Sequence, residues 1–185
     1  MKLRQIVYQG KTRKGTEIII RYPTINDVSL LLDFINEISQ EQTYIRFQGE
    51  ILSIDEETKY LKSFLDKIEK NRAVKLMVFH GNKMIGVSDI DMYDKIQSHV
   101  GLFGIIIAKN YRGEGIGKLL MELVIDEAKK NIQELKMITL TCFANNPIGP
   151  PLYKKMGFVE HGFLPQGCKH KGQLVDYIYM YKKIS

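Results

Sequence analysis

Hydrophobic positions along the chain alternate between two periods, one suited to strands and one to helices. Residues 16–21 (TEIIIR) carry a β-branched run that predicts a strand, and Pro23 breaks it. From Val28 the apolar residues Leu31, Leu32, Ile35 and Ile38 fall three and four apart, predicting a helix capped by Thr24 or Asn26. A loop containing Tyr44, Arg46 and Phe47 follows. Ser53 or Asp55 then opens a second helix whose Leu61, Phe64, Leu65 and Ile68 share one face. Residues 73–80, 84–93 and 99–108 read as three strands, the first two joined by a His80–Lys83 hairpin turn. Gly101 and Gly104 inside the third strand mark a bulge or a close approach by another backbone or a ligand. A long helix with Ile116, Leu119, Leu120, Leu123, Val124 and Ala128 on its buried stripe comes next, then a strand at 136–143. A short helix around Leu152 to Met156 ends at Gly157, and two more strands close the chain, the last at 174–182. The order β-αα-βββ-α-β-α-ββ predicts an α/β (α+β) fold on a mixed sheet flanked by helices.

With 185 residues and no repeat or Pro/Gly/Ser linker, the chain reads as one domain, 16–185, after an N-terminal extension, 1–15. No stretch of 18 apolar residues would span a membrane, and the basic N-terminus lacks an apolar secretion core. Cys142 and Cys168 make no disulfide framework, so a cytoplasmic chain with free thiols is expected. The formal net charge of +6 is spread over lysines without interleaved aromatics, which argues for a solvated surface and against nucleic acid.

The segment Arg112-Gly113-Glu114-Gly115-Ile116-Gly117-Lys118 joins an apolar strand to an amphipathic helix. The first amides of a helix lack internal partners and carry the positive end of its dipole. Glycines let those amides approach a phosphate, so the segment suits a phosphate or pyrophosphate. Gly113 to Gly117 is one residue too short for a nucleotide P-loop, and Leu119 stands where that loop needs Ser or Thr. The spacing Gly113, Gly115, Gly117 also fails the dinucleotide fingerprint. A turn that only permits tight strand–helix packing is the plain alternative.

Arg112-Gly113-Glu114-Gly115-Ile116-Gly117 resembles the R/Q-x-x-G-x-G/A signature of the GNAT superfamily of acyl-CoA-dependent N-acetyltransferases. Residues 146–158, from Asn146 through Leu152, Tyr153 and Gly157 to Phe158, resemble that family's N-x-x-A-x-x-L-Y-x-x-x-G-F motif. The resemblance covers residues 16–185. It implies a mostly antiparallel sheet with a V-shaped gap near Ile107, into which the pantetheine arm of acetyl-CoA lies as a pseudo-strand. It implies that the backbone of Ile105, Ile106 and Ile107 holds that arm and that the amides from Gly113 to Lys118, with Arg112, hold the pyrophosphate. Its activity is acetyl transfer to a primary amine of a small molecule or protein by direct attack, the alternative being a non-catalytic acyl-CoA sensor. Acetyl-CoA and an amine acceptor are therefore the expected partners, no metal is expected, and a homodimer is left open.

Site roles follow from the same resemblance. Tyr153 matches the general-acid tyrosine, or else is a core tyrosine. Asn146 matches a residue that touches the pantetheine arm, or else caps a turn. Pro150 and Pro151 depart from the motif and require its helix to start near Pro150. The two positions at which family members carry a catalytic carboxylate are Thr141 and the Gly101–Leu102 region, and neither is acidic. His99 titrates in the right range and becomes the candidate base, with a water chain as the alternative. Cys142 among Leu140 and Phe143 reads as packing rather than as a nucleophile. The acceptor pocket is expected around Tyr44, Arg46, Phe47 and residues 164–176, where Arg46 would pair with an acceptor carboxylate or a local acid. Asp89, Asp91, Asp94 and Asp176 are the acids available to a polyamine acceptor.

Overall fold

The computed structural model describes residues 4–184, so the first three residues of the segment 1–15 and the last residue of the 16–185 domain lie outside the described residues. The chain runs β1 (Ile6–Lys11), β2 (Glu17–Arg21), α1 (Val28–Gln40), α2 (Ile54–Glu69), β3 (Ala73–His80), β4 (Lys83–Met92), β5 (Val100–Ile107), α3 (Ile116–Asn131), β6 (Met137–Phe143), α4 (Gly149–Lys155), β7 (Val159–His170) and β8 (Gln173–Lys183). The described strands form one sheet in the order β1-β2-β3-β4-β5-β6-β8-β7. Every neighbouring pair is antiparallel except β5 and β6. The sheet is thus mixed and mostly antiparallel, as the element order and the resemblance lead one to expect. One element was not foreseen. Residues 6–11, inside the segment taken as an extension, pair with β2.

The local signals explain the helices. Ser53 accepts from the Glu56 amide while Glu56 reaches back to the Ser53 amide, a capping box that starts α2. Leu61, Phe64, Leu65 and Ile68 are buried beneath it, and Glu57 lies on the same buried face one turn before Leu61. Helix α4 begins at Gly149 with prolines in its first turn, where their missing amides cost nothing. No described helix is long and apolar enough to cross a membrane.

What positions the site is the seam between β5 and β6. They pair only over Val100–Leu102 and Met137–Thr139. Beyond Leu102, β5 keeps its ladder with β4 up to Gly86 opposite Ile107, but has no strand partner on its other side. The two strands splay there, which is the V-shaped gap expected near Ile107. The β4–β5 register runs without a shift, so neither Gly101 nor Gly104 marks a bulge. A side chain at Gly101 would come within 2.6 Å of Ile90 Cγ2, so that glycine serves packing. At Gly104 the nearest atom is Asp89 Oδ1 at 3.5 Å, and the missing side chain leaves room beside the gap.

Candidate active site

A cavity of about 730 Å³ opens along the splay. Its floor is β5, from Leu102 to Ile106, with Val87 and Asp89 of β4 beside it. One wall comes from β6, at Leu140 to Phe143, with Tyr153 of α4 and Tyr177 of β8. The opposite wall comes from α1, α2 and the loop between them, including Tyr44, Arg46 and Phe47. Ile105, Ile106, Asn146, Tyr153, Tyr44, Arg46 and Phe47 are therefore brought together, although they are distant in sequence. Ile107 lies just past this wall, packed toward Gly86 and Gly117.

At one end stands the glycine loop. Gly113 and Gly115 have φ of 76° and 88°, left-handed values at which a Cβ is strained. Gly115 is the N-cap of α3, so the amides of Ile116, Gly117 and Lys118 begin the helix without an internal acceptor. Two side chains of this segment are already engaged within the protein. Arg112 donates from Nε to the Ile107 carbonyl at 2.8 Å and from its terminal nitrogen to Glu41 at 2.8 Å, tying the loop to the end of α1. Glu114 is buried and accepts from the Thr12 and Thr16 hydroxyls, each at 2.7 Å, which hold its carboxyl below the usual carboxylate range. These contacts leave the backbone of the loop, rather than Arg112 or Glu114 side chains, to meet a ligand. Lys118 sits on the outer side of α3, paired at 3.5 Å with Glu122.

Across the gap, Tyr153 forms a three-ring cluster with Phe103 and Phe158, its ring centroid 6.2 Å from each. Burial pushes its phenol well above the ordinary range, and Cys142 and Tyr177 add to the shift. It thus stays protonated and can donate. Burial likewise pushes the Cys142 thiol up to about 11, which disfavours the thiolate and a nucleophilic role. Asn146 uses its Oδ1 to accept from the amides of Ile148 and Gly149, at 3.0 and 3.1 Å, capping the turn into α4. The residue as a whole lies on the cavity wall.

Tyr44 stacks on His170 at 4.6 Å and meets Phe143 edge-on at 6.0 Å. His170 is held by Asn145 and by the Gln42 carbonyl, which anchors the α1–α2 loop over the cavity. Arg46 lies exposed at the mouth with its guanidinium 5.3 Å from the Phe47 ring, and among the described residues no acid pairs with it.

His99 requires a correction. It is exposed, precedes Val100 at the closed end of the β5–β6 seam, and is absent from the cavity wall. Roughly 16 Å of extended strand separates it from Gly104, at about 3.3 Å per residue. The ionisable groups that do line the cavity include Arg46 at its mouth, Lys75 and Asp89, with Glu56, Glu57 and Tyr60 of α2. The sequence held a signal for two of them. Lys75 interrupts the apolar strand AVKLMVF, and Glu57 falls in phase with the buried stripe of α2. A polar residue at a core position needs a partner. Lys75 is fully buried and donates to Asp89 Oδ2 at 2.6 Å and to the Tyr60 hydroxyl at 3.0 Å. Of the acids considered for the acceptor, Asp91 pairs with Lys67 at 2.7 Å, Asp94 with Arg72 at 3.4 Å, and Asp176 accepts from the Gln166 amide.

Comparison with known proteins agrees with this geometry. The model of the Acetyltransferase (GNAT) family matches residues 32–158. The L-amino acid N-acetyltransferase AaaT of Escherichia coli (strain K12) is 32% identical over 98 residues, which are 52% of this chain and 60% of that relative. The structure of a GNAT-family acetyltransferase from Streptococcus pneumoniae superposes with a TM-score of 0.82 at 28% identity, covering 91% of this chain and all of that one (100%). The structure of yncA, a putative acetyltransferase from Salmonella typhimurium solved with acetyl-CoA, has the same fold, with a TM-score of 0.77 at 15% identity over 91% of this chain and 94% of that one. By its matching family model, its splayed β5–β6 seam and its glycine loop, the chain belongs to the Acetyltransferase (GNAT) family.

Proposed function

We propose that the protein transfers the acetyl group of acetyl-CoA to a primary amine by direct attack of the amine on the thioester. The observation that carries this reading is the splay of β5 from β6 beyond Leu102, which opens one continuous cavity between Tyr153 and the α1–α2 loop. The residues present fit the substrate. Unpaired β5 backbone offers strand-like hydrogen bonds to the two amides of a pantetheine arm. The amides of Ile116, Gly117 and Lys118 suit the pyrophosphate. Acetyl-CoA supplies the activated acyl group, and the protein contributes position, a proton donor and exclusion of water.

Positioning accounts for most of the acceleration, since effective molarities of about 10⁵ M and above are available to well-oriented reactants. Tyr153 protonates the departing sulfur. The acceptor enters beneath the α1–α2 loop, near Tyr44, Arg46 and Phe47. The cavity favours a small amine over a folded protein, because loop 41–52 covers it and Tyr44 is fixed against His170. Arg46, without an acidic partner, is suited to an acceptor carboxylate, and the likeness to an L-amino acid N-acetyltransferase supports free amino acids as the first acceptors to try. The test is release of CoA thiol from acetyl-CoA with a panel of amino acids, polyamines and simple amines. Tight CoA binding without thiol release would favour an acyl-CoA sensor.

A further inference from the structure

Acetyl transfer from an amine that arrives protonated needs a group to take its first proton. The positions at which the family resemblance leads one to expect a carboxylate hold Leu102 and Thr141, and His99 lies off the cavity. The neighbouring strand supplies a carboxylate instead. Asp89 of β4 stands directly opposite Gly104 of β5, two residues past the point where β5 and β6 separate. Its two oxygens have different surroundings. Oδ2 accepts from Lys75 Nζ at 2.6 Å. Oδ1 makes no hydrogen bond among the described residues and lies 3.5 Å from where a side chain at Gly104 would begin. Glycine at 104 thus leaves that oxygen facing the gap.

The groups around Asp89 fix it and set the local charge. Lys75 faces it from β3 and Tyr60 from α2, with Glu56 and Glu57 of α2 also on the cavity wall, while the α1 and β5 residues that line the cavity carry no charge. Lys75 is buried to 1% exposure, so the Asp89 carboxylate is anchored by a fixed ammonium rather than a mobile surface lysine. Glu57 is 3% exposed, and its Oε1 has no hydrogen-bond partner among the described residues. A buried carboxyl oxygen without a donor is costly in a protein interior, and an incoming ammonium or amine N–H would satisfy it. Lys75 is thus matched by Asp89 as an ion pair, and the Glu57 carboxyl beside it is pushed above the usual carboxylate range by burial.

We propose that Asp89 is a catalytic residue that takes the first proton of the acceptor ammonium, with Lys75 and Tyr60 as positioning residues and Glu57 as a second binding carboxyl. This rests on the acetyl-transfer reading above. The ammonium loses a proton to Asp89 Oδ1, which later passes it to solvent. The neutral nitrogen forms the C–N bond, and the C–S bond breaks with its electron pair going to sulfur. Tyr153 protonates the sulfur and is restored by the second N–H proton of the acceptor. The products are an N-acetyl amine, CoA thiol and one proton in solution.

The experiment is the pH dependence of kcat/KM for the acceptor in wild type and in Asp89→Asn, with the affinity for acetyl-CoA measured in parallel. The variant should lose about 10²-fold or more at neutral pH, consistent with loss of one general base. The deficit should shrink as pH rises toward the acceptor's own pKa, because free amine then needs no base, while acetyl-CoA affinity stays unchanged. A deficit constant across pH, or no deficit, overturns the proposal. If Asp89→Asn fails to fold with Lys75 left unpaired, the double variant Lys75→Met with Asp89→Asn removes the pair together, and the same profile is required of it. A wild-type measurement covers the remaining case. With acceptors of graded amine pKa, the acidic limb should stay with the enzyme, and a limb that follows the acceptor instead overturns the proposal. Wild type that acetylates no amine removes the transferase reading and this proposal with it, whereas active wild type with pH-independent variants removes this proposal alone.

Discussion

Tyr153 shows how far a single residue could be read ahead of the structure. Its place in the motif suggested a proton donor or else a core tyrosine, and the structure puts it on the cavity wall in a ring cluster with Phe103 and Phe158. Its raised pKa keeps the phenol protonated through neutral and mildly alkaline pH, so loss of activity from its ionisation falls above the ordinary phenol range near 10. Tyr153→Phe keeps the ring contacts and removes only the hydroxyl. It should lower kcat by about 10²-fold, the low end for an acid, because a thiolate leaves readily. The Kd for acetyl-CoA should not move. Wild-type kcat in the Phe variant would make Tyr153 a packing residue. Asn146 was readable only as a pair of alternatives, and its Oδ1 contacts at the start of α4 match the capping one. His99 misled because an imidazole is a common general base, while its position before Val100 lies at the closed end of the seam. Asp89 was legible only as one acid among several. Nothing in one sequence says that it stands opposite Gly104, since that depends on the β4–β5 register.

The glycine loop and the hairpin against it form the element proposed to hold the pyrophosphate. Gly113 and Gly115 both sit at positive φ, so substitutions there confound strain with lost binding. Gly117 is the better probe, because a Cβ there meets only Leu152 and Ile107 at 3.9 and 4.0 Å, ordinary contact distances. Gly117→Asp should fold and lose at least about tenfold in CoA affinity, one contact of roughly 1.4 kcal/mol or more, by setting a carboxylate against phosphate at the helix start. Undiminished affinity, measured by calorimetry, would contradict the loop's role. Strand β1 escaped prediction because IVYQGK is a weak apolar run, whereas its pairing with β2 brings Thr12 and Thr16 to a distant partner. Glu114 receives Thr12 and Thr16 from either side of its turn. The depressed carboxyl pKa means that this contact stabilises the protein above the unfolded glutamate value of about 4.3 and is lost as pH falls through the folded value. Glu114→Gln should therefore lower Tm at pH 7 and flatten its decline below about pH 4 to 5. An unchanged Tm–pH curve would mean that the hairpin is not held this way.

At the scale of the whole molecule, helix and strand periods sufficed to order the elements from Glu17 onward, because each buries a face whose period survives in sequence. The seam was legible only through the resemblance, since splaying is a property of two strands distant in sequence and of the absence of pairing between them. Charge is distributed to suit the two substrates. The net positive charge suits a polyanionic acyl carrier, while the end of the cavity proposed for the acceptor holds Asp89 and Glu57 beside one buried lysine. The central claim is that this cavity passes an acetyl group directly from thioester to amine. The most direct measurement is a single turnover, with enzyme in excess over acetyl-CoA, rapid mixing with an amino-acid or amine acceptor, and quantification of thiol and N-acetyl product. The account predicts that thiol and product appear together in equal amounts, with no acetyl group on the protein. Thiol released ahead of product with acetyl on Cys142, or acetyl-CoA bound and unconsumed with every acceptor, would contradict it.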